Sequence, residues 1–246
     1  MATKLDIGTW VRGRKGTERG IVKAKKGQNA HVLWMQNDRA KPCSVRSLKV
    51  CPPPRALVLE GSLDSKLEST RSEENVLRTW LGSQNVPLAY KNIHTIEDVH
   101  VIGRAIGSNK PLFVHVSCHG DHDPQDGAYI VFSPLSGKES RIYLSDPETV
   151  HVFCDAFEGM PILFSACLLG RYQDDLRKFQ DAAKLGKIAA FTRVVYDSEC
   201  MLFELLIYQG MLVQANPFET AVNNAEKALR EVGIKGIPGQ GFVRVF

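Results

Sequence analysis

The sequence contains no hydrophobic run long enough to cross a membrane, and its first segment, MATKLDIGTWVRGRKG, lacks the apolar core of a secretory signal. Its six cysteines include no CxxC pair, which argues against a disulfide framework. No internal repeat is present. Because 43% of the 246 residues are hydrophobic, the chain has enough apolar material for a folded core. We therefore expect a globular, cytoplasmic protein that makes no membrane contact.

Charge is distributed unevenly along the chain. Residues 1–54 hold 12 Lys and Arg against 3 Asp and Glu, a formal charge of +9, whereas residues 55–246 hold 19 against 24, a charge of −5. Three consecutive prolines, 52–54, lie at the boundary and stiffen the chain there. The division predicts two modules, 1–51 and 55–246, joined by a proline linker at 52–54.

The N-terminal module has the pattern of a small basic β-barrel. Short apolar runs such as RGIVKAKKG and AHVLWM are separated by turn-forming Gly, Asn and Asp residues, which predicts an SH3-like or Tudor-like barrel. Trp10 and Trp34 belong either to its core or to a platform for a peptide or nucleic acid. Its basic face, which includes Lys23, Lys25 and Lys26, is either solvated or binds a protein partner or nucleic acid.

The second module alternates strand and helix patterns. Apolar runs that end in polar or glycine residues are followed by amphipathic stretches, and repeated βα units of this kind predict a mostly parallel sheet flanked by helices. The predicted strands are 55–61, 86–94, 110–120, 160–170, 187–195 and 241–246.

Helix starts and one insertion complete the prediction for this module. Thr95 followed by Asp98 has the spacing of a capping box, and Asn216 before a proline predicts a second N-cap. Between the third and fourth strands, residues 121–159 read as a polar loop followed by a β-hairpin with its turn at 133–140.

Two strand ends carry reactive side chains. The third strand runs into SCHG (117–120) and the fourth into SAC (165–167). Because the carboxyl ends of neighbouring parallel strands face one crevice, His119 and Cys167 can meet there. An imidazole beside a thiol provides the base that a cysteine nucleophile needs. Gly120 lets the backbone approach a bound carbonyl, and its N–H together with that of Cys167 would form an oxyanion hole.

These segments resemble a known family. HVSCHG (115–120) followed by FSACLLG (164–170) is similar to the His-Gly and Ser-Ala-Cys signatures of caspase-like cysteine peptidases of clan CD, in particular the CHAT branch that includes separase. The stretch 189–229, a strand and Asp followed by two helices, is similar to the same branch. The resemblance covers roughly residues 55–246 and implies a caspase-like, mostly parallel sheet.

The resemblance also implies a mechanism. His119 would be the general base and Cys167 the nucleophile that attacks a peptide carbonyl and forms a thioester, with no cofactor and no metal. Asp197 would select a Lys or Arg side chain of the substrate, although an acid that opens a helix is also explained by the helix dipole.

The activities of this family suggest a biological role in defence or cell death. Prokaryotic relatives act as effectors in antiviral defence or cell death, so the expected substrate is one specific protein. An activating protein partner, docking through the N-terminal barrel, or a proteolytic step would switch the peptidase on, and the 133–140 turn is a candidate for self-cleavage.

Other interpretations of the dyad stay open. Cys167 and His119 could be ordinary core residues, and the domain would then be a catalytically inactive caspase-like scaffold whose barrel binds a protein or nucleic acid. A third possibility is a different Cys-His acyl hydrolase on an α/β sheet.

The polar residues around the third strand end also permit more than one interpretation. Asp121, Asp123 and Asp126 could orient His119 or attract a basic substrate, or they could form a solvated loop. Cys118 is expected to be a packed neighbour. A metal site is the rival chemistry, and its potential ligands are Cys118, His119, His122, Asp123 and His115.

Overall fold

The computed structural model describes residues 5–14, 19–34, 39–51, 54–62, 72–84, 86–106, 110–133 and 141–246. These residues form a mixed α/β structure in which a sheet of mostly parallel strands is flanked by helices and accompanied by two antiparallel sheets. At this level the predicted fold class is confirmed.

The N-terminal sheet is antiparallel, with the strand order β4-β3-β2-β1-β5. Its inward side chains are small aliphatic residues, among them Val11, Val22 and Val32, which are fully buried. A β-bulge in β2 between Val22 and Ala24 interrupts the pairing with β3. The strands are β1 (Trp10–Gly13), β2 (Arg19–Lys26), β3 (Asn29–Trp34), β4 (Lys41–Ser44) and β5 (Leu48–Val50).

A second apolar cluster joins this sheet to the C-terminal part of the chain. Trp10, Ile21 and Cys51 pack with Ala215, all of them buried. Lys23 Nζ donates to the carbonyl oxygen of Val213 at 3.4 Å. Trp10 is thus part of a packed contact, and Trp34 packs against the core of the N-terminal sheet.

The large sheet has the order β7-β6-β8-β12-β13-β14, and all neighbours are parallel except β13 and β14. Its central strands are buried on both faces, as expected for strands covered by helices. The strands are β6 (Ala56–Glu60), β7 (Leu88–Asn92), β8 (Val114–Ser117), β12 (Ile162–Ser165), β13 (Ile188–Phe191) and β14 (Val243–Val245).

Helices cover both faces of this sheet, each with its own hydrophobic core. One face is covered by α1 (Glu74–Ser83), α5 (Asp197–Tyr208) and α6 (Phe218–Glu231). The other is covered by α2 (Ile96–Ile106), α3 (Pro147–Phe157) and α4 (Gln173–Ala182). None of the helices formed by the described residues combines the length and apolar character of a membrane span.

The insertion after β8 differs from the prediction. Residues 121–123, expected in a polar loop, belong to strand β9 (His119–Asp123), which pairs with β10 (Gly127–Val131). β11 (Arg141–Tyr143) completes the predicted hairpin, and residues 134–140 of its predicted turn at 133–140 lie outside the described residues. β9 carries no apolar alternation because neither face enters the core, so its pattern did not indicate a strand.

Two helix starts can be compared with the prediction. The Asn216 cap was wrong, because α6 begins at Phe218 and Pro217 occupies the N-cap position. The Asn216 backbone N–H donates to the carbonyl oxygen of Gly210 at 2.9 Å, in the connection between α5 and α6. The first helix of this module, α1, begins at Glu74, and residues 63–71 before it lie outside the described residues.

Candidate active site

The ends of β8 and β12 lie side by side. The two strands pair in parallel with Ser117 opposite Ser165, and the Cys118 N–H donates to the carbonyl oxygen of Ser165 at 3.3 Å. His119 and Cys167 each follow two residues after this last pair. The register therefore brings these two segments to one edge of the sheet, as the sequence predicted for them.

Gly120 is the point of closest approach between the two segments. A Cβ at this position would lie 2.8 Å from Leu169 Cγ, 2.9 Å from Ala166 Cβ and 3.1 Å from the carbonyl oxygen of Cys167. Only glycine allows the backbone after His119 to pass so close to the backbone around Cys167.

The turn after the candidate nucleophile has an unusual backbone. Leu168 has φ of 65°, in the left-handed region that a branched side chain rarely occupies. It is held by hydrogen bonds on both sides: the Leu168 N–H donates to Arg193 O at 3.3 Å and the Leu169 N–H to Cys167 O at 2.8 Å. Strained backbone of this kind is concentrated at functional sites, where the surrounding structure maintains it.

The three sulfur- and nitrogen-bearing side chains differ in exposure. His119 is exposed and Cys167 is half-buried. Cys118 is buried, and burial, followed by the neighbouring Cys167, raises the pKa of its thiol far above the ordinary value. Cys118 is therefore a packed neighbour, as expected, and Cys167 is the accessible thiol of the pair.

The aspartates beside His119 have structural contacts. Asp123 accepts hydrogen bonds from the backbone of Gln125 and Asp126 and pairs with Arg141 at 3.0 Å. These backbone bonds, together with Arg141, lower the pKa of the Asp123 carboxyl. The Asp123 carboxylate thus stabilises the β9–β10 turn, and a role of these aspartates in orienting His119 or attracting a basic substrate stays a prediction.

The metal site considered at this strand end is not assembled. His115 faces the α5 side of the sheet, whereas Cys118 packs in the core on the opposite side. His122 stacks on Tyr172, with ring centroids 4.0 Å apart, and its Nε2 lies 3.4 Å from Asp175. These potential ligands therefore point in different directions.

A buried polar cluster, not predicted from the sequence, lies below the candidate dyad. Ser165 donates to Glu204 Oε1 at 2.6 Å and its Oγ lies 2.8 Å from His115 Nε2. His115 Nδ1 lies 2.8 Å from the Tyr208 hydroxyl, and the Cys200 thiol donates to Glu204 at 3.0 Å. His115, Ser165 and Glu204 each occur singly in an apolar run, which is the signal that could have revealed the cluster.

The cluster extends to the ends of β6 and β8. Ser117 donates to Glu73 Oε1 at 2.9 Å. The Glu73 backbone N–H and the Ser72 hydroxyl donate to the two carboxylate oxygens of Glu60, each at 2.9 Å. Serines that precede Cys167 and His119 by two residues thus connect the strand ends to three buried carboxylates.

Burial and mutual charge determine how the cluster titrates. Burial, followed by repulsion from Glu204, raises the pKa of Glu73 to about 8. Burial alone would raise the pKa of Glu204 and lower that of His115, but their attraction outweighs it, so the carboxyl pKa falls and the imidazole pKa rises. An imidazolium paired with the Glu204 carboxylate is therefore the favoured state.

Asp197 is exposed at the first position of α5. Negative charge at a helix N-terminus is favourable whether or not it also contacts a substrate. The acidic residues beneath the dyad strand ends are instead Glu73 and Glu204. Substrate selection by Asp197 stays a prediction, as do the oxyanion-hole roles of the Gly120 and Cys167 N–H groups.

Comparison with known proteins adds little. No protein-family model matches the chain, and no curated protein matches it. Among solved structures, β-glucosidase D2-BGL from Chaetomella raphigera aligns with a TM-score of 0.31 and 9% identity over 56% of this chain. The aligned part spans 22% of the glucosidase chain. A similarity of this size carries no argument about fold or activity.

Proposed function

We propose that the protein is a cysteine endopeptidase that uses Cys167 as nucleophile and His119 as general base. The observation that carries the proposal is the register of β8 and β12, which places both segments at one sheet edge with Gly120 against the Cys167 backbone. The half-buried thiol and the exposed imidazole give a substrate access to both groups.

In the proposed reaction, His119 takes the proton of the Cys167 thiol as the sulfur attacks the peptide carbonyl carbon. The Gly120 and Cys167 N–H groups would stabilise the oxyanion of the tetrahedral intermediate. Collapse of the intermediate transfers the proton from His119 to the leaving amine and gives a thioester. Water, deprotonated by His119, then hydrolyses the thioester and regenerates the thiol.

The sheet topology supports a ligand crevice beside β8, the strand that leads to His119. From β6 the chain moves to β7 on one side and then to β8 on the other, so the connection changes direction between β6 and β8. Open α/β sheets bind ligands outside the carboxyl ends of the strands at such a switch point. The order is compatible with the caspase-like, CHAT-type domain that the signatures suggest, with an SH3-like barrel before it.

The setting of the activity follows from the resemblance alone. We propose a regulated effector of a prokaryotic defence or cell-death system, which cleaves a specific protein and is recruited or activated through the basic N-terminal module. The exposed Lys25 and Lys26 would be available to such a partner or to nucleic acid.

Thiol alkylation tests the dyad. We expect iodoacetamide to modify Cys167 faster than Cys43 and Cys154, which are also half-buried and serve as internal controls. His119→Ala should reduce the Cys167 rate to the level of those controls, whereas His151→Ala, which removes an exposed imidazole on α3, should leave it unchanged. Rates measured by peptide mass spectrometry separate the sites.

Equal alkylation of the three thiols would favour the inactive scaffold. If the dyad is reactive, a peptide library then separates an endopeptidase from another acyl hydrolase. Cleavage after Lys or Arg that is lost in Asp197→Ala would support the substrate pocket, and unchanged cleavage would reject it.

A further inference from the structure

Three side chains from different elements bring ligand atoms together below the strand ends. Glu73 precedes α1, His115 lies in β8 and Glu204 lies in α5. His115 Nε2 is 3.2 Å from Glu204 Oε1 and 3.8 Å from Glu73 Oε2. One ligand atom from each residue lies within 4.8 Å of the others.

The two carboxylates are incompletely satisfied. Glu204 and His115 have no solvent exposure, and 9% of Glu73 is exposed. Among the residues that the structure describes, neither Glu73 Oε2 nor Glu204 Oε2 has a hydrogen-bond partner. A buried carboxylate oxygen without a partner is costly, and such atoms call for an explanation.

The surroundings of His115 are suited to a metal ligand. Its Nδ1 lies 2.8 Å from the Tyr208 hydroxyl. Its Nε2 lies 2.8 Å from Ser165 Oγ and 3.2 Å from Glu204 Oε1, and a metal ion would take the place of the proton on this nitrogen. Histidines that bind metals nearly always direct their other ring nitrogen to an oxygen, which fixes the tautomer and the ring orientation.

We propose that Glu73, His115 and Glu204 form a buried zinc site. One imidazole and two carboxylates are a donor set that Zn²⁺ accepts, whereas Mg²⁺ and Ca²⁺ prefer oxygen donors alone. Zn²⁺ binds these donors at about 2.0–2.2 Å, so tetrahedral ligand atoms lie about 3.4 Å apart. The observed separations of 3.2 and 3.8 Å lie on either side of that value.

Charge supports a cation at this point. Glu60, Glu73 and Glu204 are buried around a single imidazole. Protons are the competing way to neutralise these carboxylates. A divalent cation would neutralise two carboxylates at once.

The proposed zinc has a positioning role, since its ligands sit beneath the dyad and do not belong to it. It would tie the start of α1 and the middle of α5 to β8. Ser165 contacts His115, and Ser117 contacts Glu73, so the ion would fix both strand ends. The proposal does not depend on the peptidase activity.

The test measures Zn²⁺ binding to the chelator-treated full chain by calorimetry, with thermal unfolding in parallel. Wild type and Cys167→Ser should both bind one Zn²⁺ per chain, because the second variant removes the thiol of the dyad as a competing donor. Glu73→Gln and Glu204→Gln should bind about a hundredfold more weakly, while Glu148→Gln, an exposed carboxylate on α3, should bind as wild type does.

Unfolding and spectroscopy keep the result unambiguous. Excess Zn²⁺ should raise the melting temperature of wild type and of Glu148→Gln but not of the two ligand variants. Co²⁺ should give the visible bands of a site with nitrogen and oxygen donors. A wild-type chain that binds no Zn²⁺, or ligand variants that bind it unchanged, would overturn the proposal; a strong thiolate-to-cobalt band lost in Cys167→Ser would do the same.

Discussion

Gly120 has little space for any side chain. A substitution there therefore tests whether the close approach of the two candidate catalytic segments is needed for stability and for Cys167 reactivity. In Gly120→Ala, the new methyl would meet Ala166 Cβ and the Cys167 carbonyl, so one backbone segment has to move. We expect a loss of about 1–3 kcal/mol in the free energy of unfolding. Cys167 alkylation should slow at the same time, because the thiol moves relative to His119.

Gly82→Ala is the matched control, because a Cβ at this position in α1 meets no atom within 4 Å. Alanine also has the higher helix propensity, so this variant should gain about 0.5–1 kcal/mol. Urea unfolding, monitored by circular dichroism, measures the free energy of unfolding of both variants. Equal stability of the two variants would contradict the close contact at Gly120.

Ser165 tests the buried cluster one side chain at a time. Ser165→Ala removes the donor to Glu204 and the oxygen beside His115. A buried carboxylate that loses a hydrogen bond costs about 1–3 kcal/mol, so we expect unfolding to occur at lower urea by that amount. The exposed Ser145, whose hydroxyl donates to the Asp126 carbonyl, is the control, and Ser145→Ala should change stability by less than about 0.5 kcal/mol.

At the scale of elements, the start of α2 is a capping box with aspartate at its third position. Asp98 Oδ2 accepts from the His94 and Thr95 N–H groups at 2.8 and 3.0 Å, and the Asp98 N–H donates to Thr95 Oγ1 at 3.3 Å. Asp98→Ala should cost about 0.5–2 kcal/mol near neutral pH.

The contribution of this cap depends on pH. Hydrogen bonding, first from the His94 N–H, lowers the pKa of Asp98 below its ordinary value of 3.8. A group with a lowered folded-state pKa stabilises the protein above its unfolded pKa, and that stabilisation disappears as the pH falls through the folded value. The stabilities of wild type and Asp98→Ala in urea should therefore converge as the pH falls below about 4. Glu97→Ala, an exposed change in the same turn, removes only a charge near the helix N-terminus and should cost less than Asp98→Ala at neutral pH.

Helices and strands could be predicted from the sequence where a single local pattern, such as a cap spacing or an apolar run, determines them. The Thr95–Asp98 spacing alone indicated the α2 cap, and apolar runs placed the six strands of the large sheet. α3 was missed, although Asp146 accepts from the Glu148 N–H at 3.0 Å and Pro147 follows it, a standard helix start. The polar loop and hairpin pattern that precedes α3 was extended over the whole of 121–159, so no helix was predicted there.

Within the site, the sequence predicts which strand ends lie side by side but not which side chains pack against each other. The segments that carry His119 and Cys167 could be assigned to one sheet edge because strand order and register determine where strand ends meet. The contact of His115 with Glu204 depends on the face of β8 and on the rotation of α5 about its axis. No local sequence pattern determines the face of β8 on which His115 lies or the rotation of α5, so the cluster could not be predicted from the sequence.

At the scale of the whole molecule, Ala215 joins the N-terminal sheet to the rest of the chain. It is fully buried against Trp10 and Cys51 and has φ of 62°. Ala215→Leu would overfill this contact at a cost of about 1–3 kcal/mol. Cys51, whose thiol pKa is raised by burial, then becomes accessible more often, and its alkylation should accelerate about tenfold or more.

Two controls accompany this prediction. Ala24→Leu adds the same side chain at an exposed position in β2 and should leave the Cys51 rate unchanged. The Cys167 rate should be the same in all three chains. Unchanged Cys51 alkylation in Ala215→Leu would mean that the contact between the two parts of the molecule is not maintained in solution.

The charge division of the sequence suggested two parts but not how they touch. Their contact joins Trp10 to Ala215, which lies in the left-handed connection before α6. An apolar contact of this size leaves no periodic pattern in the sequence, because each partner contributes only one to three residues.

The order of the segments along the chain determines when during synthesis the candidate site can form. A chain emerging from the ribosome delivers the His119 segment first, the Cys167 segment later and Glu204 of α5 later still. Before α5 is made, His115 and Ser165 lack the carboxylate that they contact in the folded protein. The nascent polypeptide therefore contains both candidate catalytic segments before the buried cluster beneath them can form. The candidate site is complete only after most of the chain has been translated.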